Sequence, residues 1–284
     1  MAIIQSFQEN NIYQKENLMY QLKLLCSQEK NKVYIISSST KSELEQNFKD
    51  NPELGLACEY GFYYKPPRET DYHQLIYIDD WTWKQGIMPI LNGFTERTEG
   101  SYIIQKESMI SWNCKNCESD FGQFQANEMI SHIKTLLFQN DFIIAEDNNE
   151  KNEVNIRPKN INKGFFIAEI LKQDNINGEF PNLILGIGDR DGGEDMFKYL
   201  NYLKNNFSEI KANIFTTVVN KRISSANYYL NDASEIIEII ENFNKIDISE
   251  DNYSSSKFSE VISNDMERND SFELEMRNLS DDFL

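Results

Sequence analysis

Two cysteines three residues apart, Cys114 and Cys117, form a C-x-x-C pair of the kind that holds a soft metal ion or cycles between dithiol and disulfide. The other two, Cys26 and Cys58, lie far off in segments that read as helix and strand, so reduced thiols are the leading reading and a zinc or redox site the second. Hydroxyl, carboxylate and amine groups next to apolar runs are the other candidates. Ser37 closes the run Val33-Tyr34-Ile35-Ile36, Asp189 follows Leu183 to Gly188, and Lys163 follows Asn162 at the start of a helical pattern. Taken singly they read as a strand-end serine, a helix cap and a solvated lysine. His73 and His132 fit no site. The chain has 46 acidic against 28 basic residues, a net charge of −18. That balance repels nucleic acid and anionic membranes, and no basic run offsets it. An anionic substrate would therefore have to be met by a few lysines and arginines gathered in one cleft.

The elements that must position these groups can be read from periodicity. Leu18, Met19, Leu22, Leu25 and Cys26 recur with helical spacing before the strand-like Val33 to Ile36. Thr40 with Glu43 forms a capping box for the next helix, and Leu54 to Ala57 is another short strand. This alternation predicts a parallel sheet with helices on its faces, and ligands at the carboxyl ends of its strands. The middle differs. Tyr102 to Gln105 and Met109 to Trp112 read as neighbouring strands, followed by a helix with Ala126, Ile130, Ile133 and Leu137 on one face, then strands Phe142 to Ala145 and Val154 to Arg157. Strands with one helix predict a small α+β insertion. Alternation then resumes: a helix from Lys163, a strand Leu183 to Gly186, a helix from Glu194, a strand Asn213 to Val218, and a helix with Ile236, Ile237, Ile240 and Phe243, opened by Asp232 with Glu235.

From Ile246 onward eleven acidic residues face three basic ones with no strong periodicity, which predicts a disordered acidic tail. The apolar points Phe272, Leu274, Met276, Leu279, Phe283 and Leu284 offer a second reading, docking on a partner. No apolar stretch approaches the roughly 20 residues that span a bilayer, and no secretory signal pattern opens the chain. A cytoplasmic protein is expected, with no membrane and no nucleic acid among its partners.

Several stretches carry a resemblance. Val33-Tyr34-Ile35-Ile36-Ser37 and Leu54-Gly55-Leu56-Ala57-Cys58-Glu59-Tyr60-Gly61-Phe62 come first, then Met88 to Ile103, Lys106-Glu107-Ser108, Trp112 and Asp120-Phe121-Gly122. Asn162-Lys163-Gly164, Ile187-Gly188-Asp189, Glu194-Asp195-Met196-Phe197 and Ala226 to Leu230 complete the series. In order and spacing, over about residues 1–245, these resemble the trehalose-6-phosphate phosphatases of the haloacid dehalogenase (HAD) superfamily. The resemblance implies a HAD-like α/β fold, a Rossmannoid parallel sheet with an inserted α+β cap: core residues 1–82 and 157–245, cap 83–156, acidic tail 246–284.

The family's chemistry is nucleophilic: one aspartate attacks phosphorus, a second protonates the leaving sugar oxygen, and magnesium neutralises the phosphoryl charge. The resemblance places Ser37 and Lys163 as phosphate-binding residues, Glu59, Lys106, Lys115 and Lys151 as substrate-binding ones, and Asp189 as a metal ligand with Asp191 as an imperfect second. Arg157 joins the lysines in a positive set. The family's D-x-D-G-T motif has no counterpart. Aligned without gaps, Met1 falls near its second aspartate, so the first strand and the nucleophile would lie upstream; with a gap, Ile3-Ile4 becomes its strand and Gln5 and Phe7 replace the aspartates.

Other departures fall inside the chain. Gly193 stands where the family has a second metal-binding acid, and Ile104, Asn113-Cys114-Lys115 and Asn155 stand where it grips the sugar. Each lost charged acceptor costs about 1–3 kcal/mol where a partner is left buried. The expectation is therefore a non-catalytic relative in trehalose biosynthesis that regulates or scaffolds trehalose-6-phosphate synthase. Its partners would be that synthase domain or trehalose 6-phosphate, with magnesium as cofactor if binding persists. The rival expectation is an active magnesium-dependent phosphatase whose nucleophile strand lies upstream.

Overall fold

The computed structural model describes residues 12–136, 143–148, 152–207, 211–245 and 267–268. The expectations for residues 3–7 and, apart from residues 267–268, for the acidic tail lie outside them. The chain divides into two compact units, Met1–Leu75 with Asn162–Leu284, and Ile76–Ile161.

The first unit is a three-layer α/β arrangement. Its helices are α1 (Ile12–Ser27), α2 (Lys41–Phe48), α5 (Lys163–Ile176), α6 (Arg190–Asn206) and α7 (Ser234–Lys245). Strand β1 (Tyr34–Ile36) pairs in parallel with β2 (Gly55–Cys58), and β9 (Leu183–Gly188), β10 (Asn213–Val219) and β11 (Tyr228–Leu230) are parallel to one another. Antiparallel β3 (Tyr63–Lys65) and β4 (His73–Gln74) extend the first sheet, and β12 (Glu267–Arg268) pairs antiparallel with β11. Short paired segments are hard to see in a sequence because three residues carry no period.

Alternation along the strands explains why both faces are covered. Ile35, Leu56, Cys58, Ile187, Phe215, Val219 and Leu230 feed one apolar cluster with Leu18 and Leu22 of α1, Leu44 and Phe48 of α2, and Ile236 and Ile240 of α7. Their strand neighbours point the other way. Ile36 and Ala57 meet Phe166 and Ile170 of α5, while Ile214, Val218 and Tyr229 meet Met196, Phe197 and Leu200 of α6. Period-two burial on both faces is what the sequence pattern of a doubly covered sheet requires. The capping box is present: Glu43 N–H reaches Thr40 Oγ1 at 3.4 Å, and Thr40 N–H reaches Glu43 Oε2 at 2.8 Å.

The second unit is a four-stranded antiparallel sheet of order β5-β6-β8-β7, formed by β5 (Tyr102–Gln105), β6 (Ile110–Asn113), β7 (Ile143–Asn148) and β8 (Glu153–Pro158). One face packs on two helices, α3 (Thr82–Arg97) and α4 (Ser119–Leu136), where the sequence reading expected one. Trp83, Ile87, Leu91 and Phe94 make a buried stripe on α3 at helical spacing. Pro89 and the glycines at 86 and 93 disguised that helix, since proline deletes an interior hydrogen bond and glycine weakens propensity. Trp112 is fully buried and donates its indole N–H to Thr95 Oγ1 at 3.0 Å, a packing role. His73 is exposed and pairs with Glu69 at 2.9 Å.

Candidate functional site

The loops that leave β1 and β2 are laced together. Ser37 N–H donates to Ala57 O at 2.9 Å, Tyr60 N–H to Ser37 O at 2.8 Å, and Glu59 N–H to Ser39 O at 3.0 Å. The Ser37 hydroxyl accepts Ser39 N–H at 3.1 Å and donates to Ser39 Oγ at 3.0 Å. Its proton is thus engaged in its own loop, and an anion would have to compete for it. Glu59, Tyr60 and Gly61 follow β2 in three successive left-handed conformations, with φ of 49°, 61° and 93°. Such backbone costs on the order of 1–3 kcal/mol for each non-glycine residue and is held here by the two cross-loop hydrogen bonds. Glu59 is buried, 2% exposed. Gly61 must remain glycine, because a Cβ there would fall 2.5 Å from Phe166 Cβ.

Phe166 belongs to α5, whose start is the hub of the site. Asn162 caps the helix, its side chain accepting Phe165 N–H at 2.8 Å, and Lys163 is the first helical residue, only 4% exposed. Gly164 lies so close to α6 that a Cβ would sit 2.3 Å from Asp195 O. The helix start is therefore wedged between the Glu59–Gly61 turn and the first turns of α6, which Asp189 precedes. In this way Ser37, Glu59, Lys163 and Asp189 are carried on elements that converge on one helix end.

Asp189 follows β9 and has a buried oxygen, Oδ1, without a hydrogen-bond partner, which suits a contact to a hard cation. The rest of the loop does not supply a second carboxylate. Gly193 has no side chain, and a Cβ there would lie 2.7 Å from the ring of Phe197. Glu194 is committed elsewhere: Oε1 accepts the Ser224 hydroxyl and Oε2 accepts Ser225 N–H at 2.9 Å. No group of three His, Cys, Asp or Glu residues able to hold a metal occurs among the described residues. Among the described side chains of this loop, Asp189 thus offers the carboxylate contact open to a cation. The side chain of Asp191 and the whole of Lys151 lie outside the described residues.

In the second unit, Lys106 N–H donates to Met109 O at 2.9 Å at one end of the β5–β6 hairpin. Lys115 is exposed beyond the other end of β6, six residues from Met109, or about 20 Å along an extended strand. These two lysines are not brought together. Between them runs a polar face that the sequence reading did not assemble. Ser111 Oγ donates to Asn155 Oδ1 at 2.6 Å, and Asn155 Nδ2 donates to Glu153 Oε1 at 3.0 Å. Asn113 Oδ1 accepts Lys115 N–H at 3.0 Å. The signal was available: Glu153, Asn155 and Arg157 alternate with Val154 and Ile156, so period two puts them on one face opposite the apolar cluster. Arg157 is buried and donates to the carbonyl of Ile161.

A family model for trehalose-phosphatase matches residues 3–234. A probable α,α-trehalose-phosphate synthase of Arabidopsis thaliana, number 10, is 30% identical over 221 residues, covering 78% of this chain and 25% of that protein. This chain thus spans about a quarter of the length of the curated relatives it matches. The Aspergillus fumigatus trehalose-6-phosphate phosphatase structure superposes with a TM-score of 0.60 at 27% identity, covering 82% of this chain and 84% of that one. The C-terminal domain of the Candida albicans trehalose synthase regulatory protein shares the fold, with a TM-score of 0.66 at 20% identity over 80% of this chain and 86% of that one. With a HAD-like α/β fold, the motif series in place and a match over most of its length, the chain belongs to the trehalose-phosphatase family.

Proposed function

We propose that this trehalose-phosphatase-like chain acts in trehalose biosynthesis as a non-catalytic module that regulates or scaffolds trehalose-6-phosphate synthase. The observation that carries this reading is the state of the acids after β9. Among the described side chains there, Asp189 has a buried carboxylate oxygen without a partner, Gly193 contributes none, and Glu194 is spent on Ser224 and Ser225. A phosphoryl group passing to an attacking carboxylate needs its charge neutralised at that point, and one carboxylate without a second ligand holds a divalent ion poorly. The neutral Ser111–Asn155 pair in the second unit supports the same reading. A sugar hydroxyl would there meet an amide already engaged on both its oxygen and its nitrogen.

The synthases among its relatives supply the partner class, and the shared fold of a synthase regulatory protein is compatible with it. A second reading, retained binding of trehalose 6-phosphate, is favoured by the survival of Ser37, the buried Lys163 and the open oxygen of Asp189. The two are separated by thermal denaturation of the purified protein with millimolar trehalose 6-phosphate. Stabilisation that disappears in Lys163→Ala would support ligand binding at this helix end. No shift in either protein would leave the synthase-directed role alone, to be tested by co-purification with the synthase.

A further inference from the structure

The turn from β6 into α4 carries two thiols that the proposed function does not use; Cys114 Sγ donates to Asn152 O at 3.1 Å, and both cysteines pack in the apolar cluster of the second unit. Cys117 N–H donates to Cys114 O at 3.0 Å, closing a four-residue turn. Turns of that kind hold their end Cα atoms within about 7 Å, and a disulfide bridges Cα separations of roughly 4.4–6.8 Å. The side chains also face a common point. A Cβ added to Gly122 of α4 would lie 3.1 Å from Cys117 Cβ, 3.5 Å from Cys114 Cβ and 3.7 Å from Cys114 Sγ. The missing side chain at 122 leaves room beside both cysteine β-carbons and the Cys114 sulfur. Cys114 is buried and Cys117 partly exposed, while Lys115 and Asn116 between them face solvent. Cys117 is therefore the more accessible of the two thiols.

The remaining thiols offer no such arrangement. Cys26 on α1 and Cys58 on β2 are almost fully buried, and burial pushes each thiol up to about 12, so neither forms thiolate near neutral pH. No disulfide joins any of the four.

We infer that Cys114 and Cys117 form a thiol–disulfide exchange site whose reaction partner is a low-molecular-weight disulfide. The Cys117 thiolate attacks one sulfur of the incoming disulfide, forming a mixed disulfide and releasing one thiol. The Cys114 thiol then loses its proton and attacks Cys117 Sγ, closing the intramolecular bridge and releasing the second thiol. Two protein thiols and one small disulfide become one protein disulfide and two small thiols. Desolvation raises the Cys117 thiol, so exchange accelerates as pH rises toward that value. The bridge would tie the end of β6 to the start of α4 around Lys115.

The test treats the native, purified protein with glutathione disulfide, alkylates remaining thiols under denaturing conditions and maps the peptides by mass. The expected product has Cys114 and Cys117 joined, lighter by two hydrogens and unalkylated, with Cys26 and Cys58 alkylated. In Cys114→Ala the reaction should stop at a stable glutathione adduct on Cys117, and in Cys117→Ser neither residue should react. Wild-type mapping decides the matter alone if a variant folds poorly. A persistent glutathione adduct on wild-type Cys117, or complete alkylation of both residues at every pH tested, would overturn the proposal.

Discussion

The hydroxyl of Ser111 on β6 donates to Oδ1 of Asn155 on β8 at 2.6 Å, and the same asparagine passes its amide proton to Glu153 at 3.0 Å. Both Ser111 and Asn155 are buried, so this chain of hydrogen bonds is held away from competing water. A neutral amide suits the position because it accepts from one neighbour and donates to the other. A carboxylate could do only the first.

Asn155→Glu should therefore destabilise the protein by about 1–3 kcal/mol at neutral pH, since it removes the donor to Glu153 and sets two buried acids side by side. The new carboxyl would titrate above its unfolded value, so the folded state binds the extra proton more readily and the deficit relative to wild type shrinks as pH falls. Denaturant unfolding of both proteins at neutral and mildly acid pH checks the size and the direction. A variant as stable as wild type at neutral pH would refute the role given to Asn155.

The contact of Gly164 with Asp195 predicts a second outcome. An alanine Cβ would be 2.3 Å from a backbone oxygen, which cannot move like a flexible side-chain tip. Gly164→Ala should cost about 1–3 kcal/mol through overpacking and shift the start of α5 from α6, carrying Lys163 with it. Unfolding measurements test the first part. Loss of any trehalose 6-phosphate stabilisation tests the second.

Asp232 opens α7 by accepting Ser234 N–H at 2.7 Å and the Ser234 hydroxyl. These hydrogen bonds, the hydroxyl first, hold its carboxyl below the ordinary 3.8. A depressed carboxyl stabilises the fold above its unfolded value and loses that contribution as pH falls through its folded value. Asp232→Ala should lower stability by about 0.5–1 kcal/mol at neutral pH, the low end for a solvent-exposed cap. The difference from wild type should vanish under acid below the folded value. Thermal melts across that range give the comparison.

Much of the core could be read from the chain because its strands are apolar on alternate faces and its helices announce their starts. Thr40 with Glu43, Asn162 before Lys163 and Asp232 before Ser234 are all local signals, legible without tertiary context. What escaped was of two kinds. The α3 helix was hidden by Pro89 despite the stripe of Trp83, Ile87, Leu91 and Phe94, because packing of a buried face outweighs the local penalty of a proline. The commitments of Glu194 to Ser224 and Ser225, and of Asn155 to Ser111, join residues 30 to 44 positions apart, and no local pattern encodes such partners.

The central claim, that the family's phosphatase chemistry is not performed here, is tested most directly by measuring inorganic phosphate released from trehalose 6-phosphate by the purified full-length protein with millimolar magnesium. The account predicts release no faster than in the protein-free control and unchanged by Asp189→Ala. Magnesium-dependent turnover that is abolished by Asp189→Ala would contradict it.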